Sequence, residues 1–372
     1  MNNKIKRVVI KVGSSSISSL EGGMNQANLN NIVNEINYLH KKNIEVVLVS
    51  SGAVSLGVHS RGMKKRPSRL SELQSMASVG QIELIKSYQK TFSKKGISTG
   101  QILLTNDDLE NRKRYLNAKD TLNELLKRKI VPIINENDSV SFDEIKFGDN
   151  DFLASAVSNL LQADLLVLFT DQEGIYEDDP RINKSALLIK EINVTDVLLQ
   201  QIKNNITNKT EIGSGGIKSK ILAAEYAAKQ GTTTIVAKGV RKNFFSNLID
   251  NNKVIGTRII SNHIKLNAKK NWVSQHLKSK GEVFIDAGAV KALTLDNKSL
   301  LPVGVKKING NFKRGDLIIC RSFDGKEVAR GLSNYSSEDA ILIIGLSNTE
   351  IKKRLKYDLN ESLIHRDNLV IT

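Results

Sequence analysis

The chain has 372 residues, 40% of them hydrophobic and 25% charged, with a formal net charge of +16. That length suits about two to three domains of ~150 residues, and the apolar content excludes wholesale disorder. A single cysteine, Cys320, excludes a disulfide scaffold and a four-cysteine metal site, and five histidines without H-x-x-x-H spacing speak against a zinc hydrolase.

No apolar run approaches the ~18 residues of a spanning helix. The first run, Val8-Val9-Ile10, is too short for a signal-peptide core, so a cytoplasmic protein is expected. The positive charge is spread in proportion to length. From Gln275 onward there are 16 basic and 12 acidic residues, and the clusters Lys64-Lys65-Arg66 and Lys352-Lys353-Arg354 read as solvated surface. RNA binding as the main function is not expected, because no basic domain or aromatic stacking run stands out.

Five β-branched-rich runs punctuate the first part: Val8–Val12, Val46–Val49, Val131–Ile134, Leu165–Phe169 and Ile235–Ala237. They do not alternate, which is the pattern of strands buried on both faces of a parallel sheet. Between them Asn28–Leu39, Ala118–Leu126 and Ile217–Ala228 carry apolar residues at helical spacing. Strands alternating with helices predict an α/β fold, here a three-layer αβα sandwich around a mainly parallel sheet. Ser261–Gln275 reads as a linker. Beyond it Val283–Ile285, Leu317–Ile319, Val328–Ala329 and Ile341–Ile344 are short runs, with hairpin signals at Asn309-Gly310-Asn311 and Asp324-Gly325. The expected division is residues 1–260, a linker 261–275, and a small β-rich domain 276–372.

The residues that follow the predicted strands are small and polar: Lys11-Val12-Gly13-Ser14-Ser15, Ser50-Ser51-Gly52-Ala53, Asn135-Glu136-Asn137-Asp138 and Thr170-Asp171. In open α/β sheets ligands bind beyond the carboxyl ends of the strands, so four such loops would converge on one edge. The sequence lacks G-x-x-x-x-G-K-[ST], and Gly213-Ser214-Gly215-Gly216-Ile217-Lys218 fails G-x-G-x-x-G at its last position. That segment nevertheless opens a helix, whose first N–H groups can hold an anion, with Lys220 one turn in. It reads equally as a glycine turn before a surface helix. Lys11 can snorkel or meet a ligand. Gly148-Asp149-Asn150-Asp151 can be a helix cap, or can hold lysines or a magnesium–nucleotide complex.

Taken together, these segments resemble the amino-acid kinase family over about residues 5–260. The carriers are Val9–Ser14, Val49–Ala53, Ala77–Gln81, Gln101–Thr105, Arg114–Ala118, Pro132–Asp138, Gly148–Asp151, Leu168–Asp171 and Gly213–Lys220. Ile134–Asp138 and Gly148–Asp151 resemble the branch of that family that phosphorylates the γ-carboxylate of glutamate. Residues 276–372 resemble a PUA domain through Gly288-Ala289, Ser299–Pro302 and Gly310–Asp316.

The resemblance implies transfer of the ATP γ-phosphoryl group to L-glutamate. Lys11 and Lys220 would stabilise charge on the phosphates and Asp151 would hold both lysines. Ser51, Asp138 and Asn150 would bind glutamate, with Asn135 a weaker candidate. Lys11, Thr170, Asp171 and the run Ser214, Gly215, Gly216, Ile217, Lys218, Ser219 and Lys220 would bind ATP. Magnesium would ride on the phosphates, with no protein ligand assigned. Ser214, Ile217 and Ser219 depart from the family's G-T-G-G-M-x-T-K, which implies retained chemistry with altered ATP affinity. The resemblance also implies the first step of proline synthesis, feedback inhibition by proline with Ser139–Phe147 as a controlling lid, a γ-glutamyl phosphate reductase as partner, and a dimer or tetramer.

Overall fold

The computed structural model describes residues 5–18, 23–140, 150–205, 216–239, 241–261, 279–346, 350–351 and 362–372. The predicted linker, apart from Ser261, lies outside them. The chain divides into two compact units, Met1–Asn111 with Asn117–Lys265, and Arg112–Leu116 with Leu266–Thr372.

In the first unit the strands are β1 (Arg7–Val12), β2 (Glu45–Ser50), β3 (Thr99–Leu104), β4 (Val131–Glu136), β5 (Leu165–Thr170), β6 (Glu191–Asn193), β7 (Thr233–Lys238) and β8 (Thr257–Ile260). They form one sheet in the order β3-β4-β2-β1-β5-β7-β8-β6. Every pairing is parallel except β7 with β8. The helices are α1 (Ser14–Ile17), α2 (Gln26–Lys41), α3 (Ala53–Ser60), α4 (Leu70–Ser93), α5 (Asn106–Glu110), α6 (Arg112–Lys127), α7 (Asp151–Leu161), α8 (Val197–Asn205), α9 (Ile217–Ala228) and α10 (Phe244–Ile249). Among the described residues no helix is long and apolar enough to cross a membrane.

Strand parity sets the layers. Val8, Ile10 and Val12 join Leu29, Ile32, Val33 and Ile36 of α2 in one core cluster. Val9 and Lys11 have the opposite parity and turn to the face where α7 packs against β1. The chain lays β2 on one side of β1 and later returns to lay β5 on the other. That reversal is a topological switch point, where a crevice opens at the strands' carboxyl ends.

Two packing devices hold the surroundings. Gly57 of α3 and Gly80 of α4 bring their backbones into contact: a Cβ on Gly80 would lie 1.9 Å from the Ala53 carbonyl oxygen, and one on Gly57 1.9 Å from that of Met76. On α2, the buried Glu35 carboxylate accepts N–H bonds from Asn243 (2.6 Å) and Phe245 (3.0 Å), tying α2 to the start of α10. Burial pushes that carboxyl up despite those bonds.

The second unit carries β9 (Gly281–Ile285), α11 (Ala287–Thr294), β10 (Val305–Gly310), β11 (Leu317–Ser322), β12 (Glu327–Leu332), α12 (Ser337–Ile343) and β13 (Leu369–Ile371). Its sheet runs β10-β9-β11-β12-β13. Asp324-Gly325 does turn a hairpin between β11 and β12. Asn309-Gly310-Asn311 does not, because β10 pairs with β9 instead of the strand that follows it. The run Ile341–Ile344, expected as a strand, lies largely in α12. Ser336 accepts the Asp339 N–H at 3.1 Å, and this cap starts a helix that buries Ala340 and Ile343 while exposing Ile341 and Leu342. Cap chemistry outweighs β-branching there.

Candidate active site

At the carboxyl end of β1, Lys11 Nζ lies 2.6 Å from Oδ1 of Asp151. Lys220 Nζ, one turn into α9, lies 2.9 Å from Oδ2 of the same carboxylate. The side chains of Lys11, Asp151 and Lys220 are 4%, 0% and 3% exposed, so this is a buried cluster and not a surface ion pair. Asp151 opens α7, where the helix dipole favours a negative charge. Burial alone would raise its carboxyl, but the two ammonium groups hold it below the ordinary carboxylate value. Ser219 adds a hydroxyl bond to Oδ2 at 3.1 Å. One carboxylate thus serves two cations.

The neighbouring helix starts suit an anion. Gly52, at φ +109°, precedes α3, and Gly216 precedes α9, each without a side-chain cap. Their first N–H groups lack a partner from the preceding side chain. The left-handed backbone at Gly52 is strained for any residue with a Cβ.

Beside the charge cluster runs a chain of amides. Asn150 Nδ2 donates to the Ser50 carbonyl oxygen (2.7 Å), to Asn135 Oδ1 (2.8 Å) and to Ser51 Oγ (3.0 Å). Asn135 Nδ2 in turn donates to Gln81 Oε1 at 2.8 Å. Ser50 Oγ meets Tyr88 OH at 3.0 Å, and burial pushes that phenol up. Gln81 Nε2 is buried with no hydrogen-bond partner among the described residues, a cost of about 1–3 kcal/mol.

A buried lysine pair around one carboxylate, uncapped helix starts and a polar amide pocket at one sheet edge are suited to joining a polyphosphate to a small polar acceptor. The family comparisons agree. The model of the "Amino acid kinase family" matches residues 6–238, and that of the "PUA domain" residues 281–355. The chain belongs to the amino acid kinase family. It is therefore a kinase, an ATP-dependent phosphotransferase, with a PUA domain behind the kinase domain. A curated glutamate 5-kinase of Hydrogenovibrio crunogenus is 44% identical over 100% of this chain and 98% of that protein. One of Nitrosomonas eutropha is 45% identical over 98% of this chain and 97% of its own length. A solved isopentenyl phosphate kinase of T. acidophilum is 16% identical, covers 68% of this chain and 100% of its own, and superposes with a TM-score of 0.48.

For a kinase of this family the sequence-derived residues fall as follows. Lys11, Asp151, Lys220 and Ser219 meet in one cluster, and Ser51, Asn150 and Asn135 in the adjoining amide chain. Asp138 is half-buried in the turn after β4, where its neighbour Ser139 meets Ser78 of α4 through hydroxyls 2.8 Å apart. Thr170, at the end of β5, donates to Asp171 Oδ1 at 2.9 Å. Gly216 caps α9, and Ile217 and Lys218 are half-buried in its first turn. Ser214 and Gly215, together with Asp149 and most of the lid, lie outside the described residues. Sequence reasoning gave Gln81 no role, although a signal existed. Ala77, Leu84 and Tyr88 form the buried stripe of α4, and Gln81 sits on that stripe at helical spacing.

Proposed function

We propose that the protein is a glutamate 5-kinase, transferring the γ-phosphoryl group of ATP to the γ-carboxylate of L-glutamate. The products are γ-glutamyl phosphate and ADP. The observation that carries this reading is the buried Lys11–Asp151–Lys220 cluster beside the Ser51–Asn150–Asn135 pocket; the names of the curated relatives support the substrate.

The chemistry follows from charge. A free glutamate side chain ionises near ~4.3, so its carboxylate is already the nucleophile at neutral pH and no general base is needed. A carboxylate oxygen forms the new bond to γ-phosphorus while the bond to the β,γ-bridging oxygen breaks and its electron pair leaves on ADP. The difficulty is bringing an anion onto a polyanion, so catalysis is positioning and charge stabilisation. Lys11 would neutralise the transferring oxygens and Lys220 the nucleotide side, with Asp151 fixing both ammonium groups. Gly13 and Gly52 N–H groups would meet the moving phosphoryl group. Ser51, Asn150 and Asp138 would hold glutamate, Asp138 facing its α-ammonium. Thr170, Asp171 and Gly216–Lys220 would hold ATP, with Ser214 and Gly215 completing that set. Among the described residues no group of three or more His, Cys, Asp or Glu could hold a metal ion; we assign magnesium to the nucleotide as part of the substrate.

The same reading carries the first step of proline synthesis, in a cytoplasmic homo-oligomer. It includes competitive inhibition by proline, which resembles cyclised glutamate, and hand-over of the labile acyl phosphate to a γ-glutamyl phosphate reductase. We take the kinase domain as 1–260 and the PUA domain as 276–372. The test is a hydroxylamine trap with ATP and magnesium, offered glutamate, acetylglutamate and aspartate in parallel. Hydroxamate from glutamate is expected; turnover of another acid in its place would overturn the substrate.

A further inference from the structure

We propose that Gln81 is a positioning residue for the acceptor pocket, setting the amide sense of Asn135 and through it of Asn150. This rests on reading Asn150 and Ser51 as substrate-binding residues.

The argument starts from a group that cannot flip. The Ser50 carbonyl oxygen only accepts, so the Asn150 end facing it must be the NH2 group. That NH2 also faces Asn135, so Asn135 must present its oxygen there and its NH2 to the far side. The far side meets Gln81 at 2.8 Å, so Gln81 must present Oε1. Each amide fixes the next, and the chain ends on Gln81. Its own Nε2 is left buried without a partner among the described residues. A glutamine serving only the packing of α4 could turn over to relieve that donor. Here turning would set NH2 against NH2 at Asn135, so the unsatisfied donor is the consequence of holding the chain in one sense.

The chain also explains Ser51. Two hydrogens on Asn150 Nδ2 face three oxygens, and the Ser51 contact is the longest at 3.0 Å. While Asn135 Oδ1 takes one hydrogen, the Ser51 hydroxyl can be given to a ligand, and Asn150 Oδ1 remains an acceptor for a substrate ammonium. Without the Gln81 acceptor, Asn135 is free to turn over. The released Asn150 hydrogen then passes to Ser51 and occupies an acceptor position of the hydroxyl that should meet glutamate.

The test is a double-mutant cycle of Gln81→Met and Asn135→Ala, read as kcat and KM for glutamate and for ATP. Gln81→Met is expected to lower kcat/KM for glutamate about tenfold, chiefly through KM, the scale of one lost hydrogen bond. The KM for ATP should stay within about twofold, and the double variant should be no worse than Asn135→Ala alone. Gln81→Glu keeps an acceptor for Asn135 and should hold both KM values within about twofold of wild type; a rise in the KM for glutamate in that variant would overturn the inference, so the test survives if Gln81→Met does not fold. Additive losses would overturn the inference by making Gln81 a direct substrate contact. Equal rises in both KM values of Gln81→Met, or no change in them, would reduce it to a packing residue. A wild-type enzyme silent with glutamate would instead overturn the function reading.

Discussion

At the carboxyl edge of the first unit's sheet the buried residues include Lys11, Asp151, Lys220, Asn135 and Asn150, partnered with one another across long stretches of chain. Among the described residues of the second unit the buried polar residues are Ser333, Asn334, Ser337 and Ser362, and they bond mainly to backbone. Ser333 Oγ donates to the Tyr335 carbonyl oxygen and Asn334 Nδ2 to that of Ser362. The rest of that core is apolar, with Val283, Ile285, Phe312, Ile318 and Cys320 packed together. Saturating loop backbone stabilises a fold and needs no ligand. Gathering two cations around one buried carboxylate, and leaving an amide donor unsatisfied, costs stability. That contrast supports the active site proposed for the first unit.

The largest effect should come from Asp151→Asn, which removes the carboxylate that both lysines contact. Turnover should fall about 10²–10³-fold, and stability by about 3–5 kcal/mol in thermal or urea unfolding at pH 7. Because the native carboxyl is depressed, its contribution is full above the unfolded value of 3.8 and is lost as pH falls toward about 2. The stability gap between wild type and variant should therefore be flat from pH 5 to 8 and close only below about 4. A gap that closes on the alkaline side would contradict the assignment.

A smaller effect is expected at the α3–α4 contact. Gly80→Ala places a methyl against the Ala53 carbonyl and should cost about 1–3 kcal/mol. Since Gln81 is the next residue, the KM for glutamate should rise while that for ATP holds. Smallest of all, Cys320→Ala in the second unit should cost about 1 kcal/mol and leave turnover within about twofold. Burial pushes the Cys320 thiol up to about 12, so maleimide should not label it in the native protein. Rapid labelling, or a large loss of turnover in Cys320→Ala, would erase the distinction between the two units.

The parallel-sheet strands were legible because burial on both faces demands β-branched runs, and β1, β2, β4, β5 and β7 sit where those runs lie. The edge strand β6 and its neighbour β8 are short and carry no such pattern. Helix α12 was misread because the apolar run Ile341–Ile344 says nothing about phase until the Ser336 cap sets it. In the site, strand-end and helix-start positions drew attention to Lys11, Asp151 and Lys220, and only the family resemblance gave them roles. The Gln81–Asn135–Asn150 chain could not, because it joins residues 54 and 15 positions apart. Local sequence cannot announce a hydrogen bond of that span.

The central claim is that the lysine cluster serves the transferring phosphoryl group and not the binding of the acceptor. Steady-state kinetics of Lys11→Ala test it most directly. Turnover should fall about 10²–10³-fold with the KM for glutamate little changed. A raised KM with turnover preserved would place Lys11 in acceptor binding and contradict the account.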